Sequence, residues 1–285
     1  MRLSPRRAAA LILAAVLAGA IGIVAALRAH RADPPSATGL QAAAGLPSAR
    51  PPGPAASDPR LPGEARTAAS IVPELGRVEG ESYVLYAFSF RVEEVRFGVA
   101  DLEASDSLEA VLARTGASLV VNGGFFDAQR RPEGLVRVEG AELSPFSPSL
   151  GGGVLSVLAD RSVLSDAQGF SAPPAGARFS IQARPRLVVN GEANTRDEKA
   201  KAERTALCVL GEGRRLEVVL ARGPSRGDGP TLAFFAEMLV SRGCEQALNL
   251  DGGPSTGAAW RGAKEVESLP IRAAIRQAIT VRLGR

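Results

Sequence analysis

The chain has 285 residues, 45% of them hydrophobic, which is enough for a sizeable buried core, and a formal net charge of +4. Residues 1–70 hold eight Arg against three acidic residues, while the remainder holds 26 basic against 27 acidic, so the basicity belongs to the N-terminal tail. The bulk of the chain therefore has no charge bias toward nucleic acid, and no run interleaves aromatic with basic residues as single-strand binders do.

In chain order, the first feature is a basic start with Arg2, Arg6 and Arg7. Twenty uncharged residues follow, Ala8–Leu27, closed by Arg28 and Arg31. The pattern predicts an export signal over residues 1–27 that is long enough to span a bilayer. Leu27 and Arg28 interrupt the small residues a cleavage site needs. An uncleaved inner-membrane anchor with the domain outside the cytoplasm is expected, with a cleaved signal and a periplasmic or secreted domain as the alternative. Residues 28–70 are rich in Pro, Ala, Gly and Ser, as in Pro51-Pro52-Gly53-Pro54, and bury too little to offset their ordering entropy. They read as a disordered linker before a domain over residues 71–285.

Past Ile71 the pattern becomes short strands with one or two helices. Tyr83–Phe90 and Val92–Val99 look like paired strands. Asp106-Ser107-Leu108-Glu109 is a capping-box-like start for a helix ending at Gly116. Ser118–Asn122 is an apolar strand entering a Gly-rich turn, and Leu135–Val138 and Val154–Leu158 are further strands. Arg186–Val189 runs into Asn190-Gly191, a hairpin signal, and Thr205–Leu210 and Leu216–Ala221 flank Gly211-Glu212-Gly213, another. Thr231–Arg242 reads as a helix with Leu232, Phe235, Leu239 and Val240 on one face and Gly243 as its stop. Gln246–Leu250 leads into Asp251-Gly252-Gly253, and Ile279–Leu283 closes the chain as a strand. The fold class expected is α+β, a single domain with a mixed, β-rich centre.

The only histidine, His30, lies in the tail, which excludes Ser-His-Asp, Cys-His and His-ligated zinc chemistry from the domain. Cys208 and Cys244 have no metal-ligand spacing. Each adjoins an apolar run, so they read as two buried thiols, with a disulfide as the alternative in an oxidising compartment.

Three segments carry candidate chemistry. Asn122-Gly123-Gly124-Phe125-Phe126-Asp127 ends a strand; its glycines permit close backbone approach and its aromatics can wall a pocket or stack on a sugar. Glu203-Arg204-Thr205-Ala206 enters an apolar strand, where an arginine can hold phosphate with paired donors. Asn249-Leu250-Asp251-Gly252-Gly253-Pro254-Ser255-Thr256 projects a carboxylate from a strand onto a turn whose N–H groups suit anionic oxygens. Each alone also has a structural reading: core phenylalanines, a solvated arginine, an Asp capping its own turn.

The order of the three segments resembles that of the phosphodiester glycosidase family. The resemblance covers about residues 75–285 and includes Leu187-Val188-Val189-Asn190-Gly191. It implies hydrolysis at an anomeric carbon whose leaving group is a phosphate ester, on a sugar phosphodiester or polysaccharide in cell-envelope or exopolysaccharide metabolism. The implied roles are Asp251 near the anomeric centre, Arg204 on phosphate with Gly252, Gly253, Ser255 and Thr256, and Asn122 on a sugar hydroxyl. Gly123, Gly124, Phe125, Phe126 and Thr205 would line the substrate, and Asp127 is a second carboxylate. A divalent cation held by Asp251 or Asp127 would be a hard ion such as calcium, since only oxygen ligands are available. The chain departs from the family in one place: Pro254 stands where many members have a third glycine, and it brings no N–H. A polysaccharide-binding or assembly protein, and a phosphodiesterase releasing sugar phosphate, are the competing classes.

Overall fold

The structure is a computed structural model and describes residues 70–284. The expected export signal over residues 1–27 and all but the last residue of the expected linker over 28–70 lie outside the described residues. Among the described residues, no helix is long and apolar enough to cross a membrane.

The described chain is mostly β-sheet with two α-helices. In order its first strands are β1 (Glu74–Arg77), β2 (Val84–Arg91), β3 (Val95–Asp101) and, after helix α1 (Leu108–Thr115), β4 (Leu119–Asn122). Next come β5 (Val136–Val138), β6 (Ala141–Ser144), β7 (Gly153–Val157), β8 (Ser162–Asp166) and β9 (Phe179–Ala183). Then follow β10 (Arg186–Val189), β11 (Glu192–Ala193), β12 (Arg204–Leu210) and β13 (Arg215–Arg222). Helix α2 (Leu232–Ser241) precedes β14 (Gln246–Asn249), β15 (Ala258–Arg261), β16 (Val266–Leu269) and β17 (Gln277–Leu283).

These strands make three sheets: β1-β2-β13-β12-β14-β10-β11, β16-β15-β4-β17-β3 and β6-β5-β9-β7-β8. Every strand pairing in them is antiparallel. The period-2 pattern of β12 shows why the first sheet is buried on both faces. Leu207 and Val209 join a central core that also takes Val121 and Ile279 from the second sheet and Ile181 from the third. Ala206, Cys208 and Leu210 face the other way, onto Phe235 and Leu239 of α2. On the far side of the second sheet, Val120, Ala259 and Ala278 pack against Leu108 and Leu112 of α1. The layers therefore run α2, first sheet, core, second sheet, α1, with the third sheet contributing its apolar face to the same core.

Both helices start as their sequences indicate: Ser107 Oγ accepts from the Ala110 N–H and Thr231 Oγ1 from the Phe234 N–H. Two expectations are corrected. Tyr83–Phe90 and Val92–Val99 do not pair: β2 lies beside β1 and β13, whereas β3 lies beside β17. Val92–Glu94 forms a 3₁₀ turn because the chain crosses there from one sheet to another. Cys208 and Cys244 are not two thiols but a disulfide, with Cα atoms 5.5 Å apart, tying β12 to the segment after α2.

Candidate functional site

The three segments converge because β4 and β14 end, and the antiparallel β12 begins, at one edge of the central core. Asn122 is the last residue of β4 and is fully buried. Its Nδ2 donates to the Asp251 carbonyl at 2.6 Å, and its Oδ1 accepts from Thr205 Oγ1 at 2.8 Å and from the Gly257 N–H at 3.3 Å. One amide thus joins the first segment to the second and the third. The Asp251 N–H in turn donates to the Gly123 carbonyl at 3.3 Å. Glycine is required at 123 because a Cβ there would come within 2.8 Å of the Gln277 carbonyl oxygen. In this geometry the Asn122 amide, expected on a sugar hydroxyl, is spent within the protein at both ends. Thr205 is likewise fully buried.

Asp251 follows β14 by two residues and stays half-buried. The Gly252 N–H donates to its Oδ1 at 2.9 Å. Burial pushes its carboxyl above the ordinary aspartate range, against the hydrogen bonds from Ser255 and Gly252 that favour the ionised form. The turn that follows is a 3₁₀ turn over Gly253–Ser255, with Gly253 at φ +58°. Pro254 suits it, since the first amides of such a turn have no acceptor within it and the missing N–H costs nothing there. The carbonyl of Pro254 accepts from the N–H groups of Arg272 and Ala273, at 2.8 and 3.1 Å.

Under this turn lies a cluster that sequence reasoning missed. Glu203 is fully buried, its carbonyl accepts from the Gly253 N–H at 2.7 Å, and its carboxylate lies 3.1 Å from Arg222 and 3.2 Å from Arg272. Burial holds the Glu203 carboxyl above the ordinary glutamate range, against the two guanidiniums, which favour its ionised form. Arg222 also donates to the carbonyls of Thr256 and Pro270, both at 2.6 Å. The signal for this pair was present in the predicted hairpin. Its register matches Arg204 with Ala221, so the next position outward sets Glu203 opposite Arg222.

Arg204 runs alongside the turn: a Cβ on Gly252 would lie 3.9 Å from Arg204 Cδ. Its guanidinium donates to the carbonyls of Pro230 at 3.2 Å and Ala200 at 2.6 Å, and burial lowers its pKa. Asp127 stands apart from this group chemically. Its oxygens accept from the N–H groups of Gln129 and Arg131 and from the Arg131 guanidinium, which hold its carboxyl below the usual range. That is a turn-capping role. Phe126 packs against the α1 side of the second sheet and Phe125 against the central core. Ser255 and Thr256 are buried in the turn. Among the described residues no three His, Cys, Asp or Glu side chains cluster as a metal site.

The family model for phosphodiester glycosidases (NAGPA) matches residues 115–281. Among solved structures, the chain is similar to the catalytic domain of zebrafish N-acetylglucosamine-1-phosphodiester alpha-N-acetylglucosaminidase, auto-inhibited by its pro-peptide. That match has a TM-score of 0.58 and 16% identity over 76% of this chain and 87% of that one. A Synechocystis protein matches with a TM-score of 0.51 and 15% identity over 75% of this chain and 62% of that one. A Burkholderia pseudomallei protein does so with 0.50 and 13%, over 70% and 74%. At these identities the structures show the fold alone. No curated protein matches the chain. The family match spans more than half of the sequence and contains all three segments: the chain belongs to the phosphodiester glycosidases, hydrolases of phosphodiester-linked sugars.

Proposed function

We propose that the domain hydrolyses the bond between an anomeric sugar carbon and the oxygen of a phosphodiester. One observation carries the reading: Asp251 presents a carboxyl of raised pKa from a turn that Asn122, Glu203 and Arg222 hold rigidly. Water adds to the anomeric carbon, the C–O bond to phosphate breaks, and the products are a free sugar and a phosphomonoester. The leaving group is already a weak base, so the reaction asks little of a general acid. It asks for a carboxylate that guides the water or stabilises an oxocarbenium-like centre, and Asp251 meets that need. Arg204 adds positive potential beside the turn, and Asn122 and Thr205 act as positioning residues.

We place the domain outside the cytoplasm, in cell-envelope or exopolysaccharide metabolism. The basic start and the uncharged run Ala8–Leu27 support export, and the Cys208–Cys244 disulfide suits an oxidising compartment. The domain boundary near Ile71 is supported by that residue's side chain in the central core and its N–H on the Arg261 carbonyl at 2.7 Å.

The test is a product-resolved hydrolysis screen of purified protein on anomeric phosphodiesters, beginning with N-acetylglucosamine, the sugar named for the zebrafish enzyme. Free sugar is the expected product. Release of sugar phosphate would mean that the other phosphoester bond is cut, and binding without turnover would mark a polysaccharide-binding protein.

A further inference from the structure

Most cations around the site are already committed. Arg204 donates to two loop carbonyls, Arg222 and Arg272 share Glu203, and Arg131 holds Asp127. Arg184, in the link between β9 and β10, differs from all of them. It is exposed, no carboxylate among the described residues lies within 4 Å of it, and its guanidinium donates no hydrogen bond to them.

Its place is nevertheless fixed. The Arg184 carbonyl accepts from Asn249 Nδ2 at 2.9 Å and the Pro185 carbonyl from the Asn249 N–H at 3.0 Å, two residues before Asp251. The guanidinium carbon lies 6.0 Å from the centre of the Phe125 ring. Phe125 is itself two residues past Gly123, whose carbonyl holds the Asp251 N–H. Both members of the pair are thus tied to the two flanks of Asp251. Beside them Asn249 Oδ1 is buried and meets no donor among the described residues. The amide is oriented by the Arg184 carbonyl, which only accepts, so the unmatched atom is the oxygen.

We propose that Arg184 is the residue that binds the phosphodiester anion, with Phe125 as its positioning shelf. The inference rests on the hydrolase reading above. A guanidinium lying over an aromatic face keeps its N–H edge directed outward in one plane, the geometry for two parallel bonds to phosphate oxygens. Phosphate recognition by Arg184 leaves Arg204 to shape the turn from below.

The experiment is equilibrium binding to the full-length protein of C-glycosidic methyl phosphonates of N-acetylglucosamine and of glucose, which carry the anion but cannot be hydrolysed. The matching neutral methyl glycosides serve as controls. Arg184→Met should bind the phosphonates about tenfold to a hundredfold more weakly and the neutral glycosides unchanged. Arg184→Lys should fall between, having charge without the fork, and raised salt should weaken the wild type more than Arg184→Met. Equal phosphonate affinity in wild type and Arg184→Met overturns the assignment, as does a wild type that prefers neither phosphonate to its neutral control. Hydrolysis of the corresponding diesters is followed separately. A wild type that binds through Arg184 but never turns over sinks the hydrolase reading and leaves the anion site standing.

Discussion

Asn122 Nδ2 donates to the main-chain carbonyl of Asp251 at 2.6 Å across 129 positions of sequence, and so fastens the second sheet to the turn that follows the first. Asn122→Leu keeps the branched shape, though with bulkier methyl groups, and removes both ends of the amide, stranding the Asp251 carbonyl, the Thr205 hydroxyl and the Gly257 N–H. We expect a stability loss of about 2–4 kcal/mol, read by denaturant unfolding. A positioning residue should also lower kcat more than it raises KM. An Asn122→Leu protein with wild-type stability would show that the bridge is incidental.

Asp251→Asn separates chemistry from structure. The amide oxygen still accepts from the Gly252 N–H, so the melting temperature should not fall, while the rate should drop by about 10²–10⁴. The raised carboxyl fixes the sign of two pH effects. On the proposed mechanism turnover needs the ionised form, so the acid limb of kcat/KM should lie above the ordinary aspartate value of 3.8. For stability, the folded state holds this proton more tightly than the unfolded chain does. The stabilising share is complete below the unfolded pKa and is lost as pH rises through the folded one. Asp251→Asn should therefore match or exceed the wild type in stability at neutral pH, and a clear loss there would contradict the burial argument.

Glu203→Gln should be among the most damaging single changes outside the hydrophobic core. It leaves Arg222, which is 9% exposed, and Arg272 facing an amide in a buried place. Removing one partner of such a cluster costs about 3–5 kcal/mol. Activity should fall with it, because Arg222 holds the Thr256 carbonyl. Urea unfolding with a parallel rate measurement decides this, and a loss under ~1 kcal/mol would mean that the cluster is solvated.

Reducing the Cys208–Cys244 disulfide, or replacing both residues with Ala, opens a closed loop with a sequence separation of 36. The chain-entropy relation gives a destabilisation of about 3–4 kcal/mol. Thermal melts with and without reductant measure it, and coincident melts would show that the link is dispensable.

The sequence was most legible where local chemistry decides structure. Ser107 and Thr231 cap their helices, Asn190-Gly191 turns β10 into β11, and Gly211-Glu212-Gly213 turns β12 into β13. It was least legible where pairing is non-local: β15, with Ala258 and Ala259, lacks β-branched residues and is a strand because β4 and β16 flank it. The same division runs through the site. Asp251 announces itself as a carboxylate between an apolar strand and two glycines. The work of Asn122 and Thr205 is hidden, because a polar residue closing an apolar strand looks alike whether it faces a ligand or another strand. Arg222 closes β13 outside any recognisable motif, and only register connects it to Glu203.

The turn after β14 is bonded both to itself and to the interior. The N–H of Asp251 goes to Gly123, that of Gly253 to Glu203, and those of Ser255 and Thr256 to Gly252 and Gly253. Active-site loops ordinarily open far below the energy of global unfolding. Here, opening the turn releases the Asn122 bridge and bares Glu203 and Arg222 together, so it cannot breathe without loosening the core. Its amides should exchange with deuterium on the slow timescale of β12 rather than that of a surface loop. On the proposed reading a substrate meets a rigid floor, and any adaptability needed to admit different sugars has to come from the outer rim.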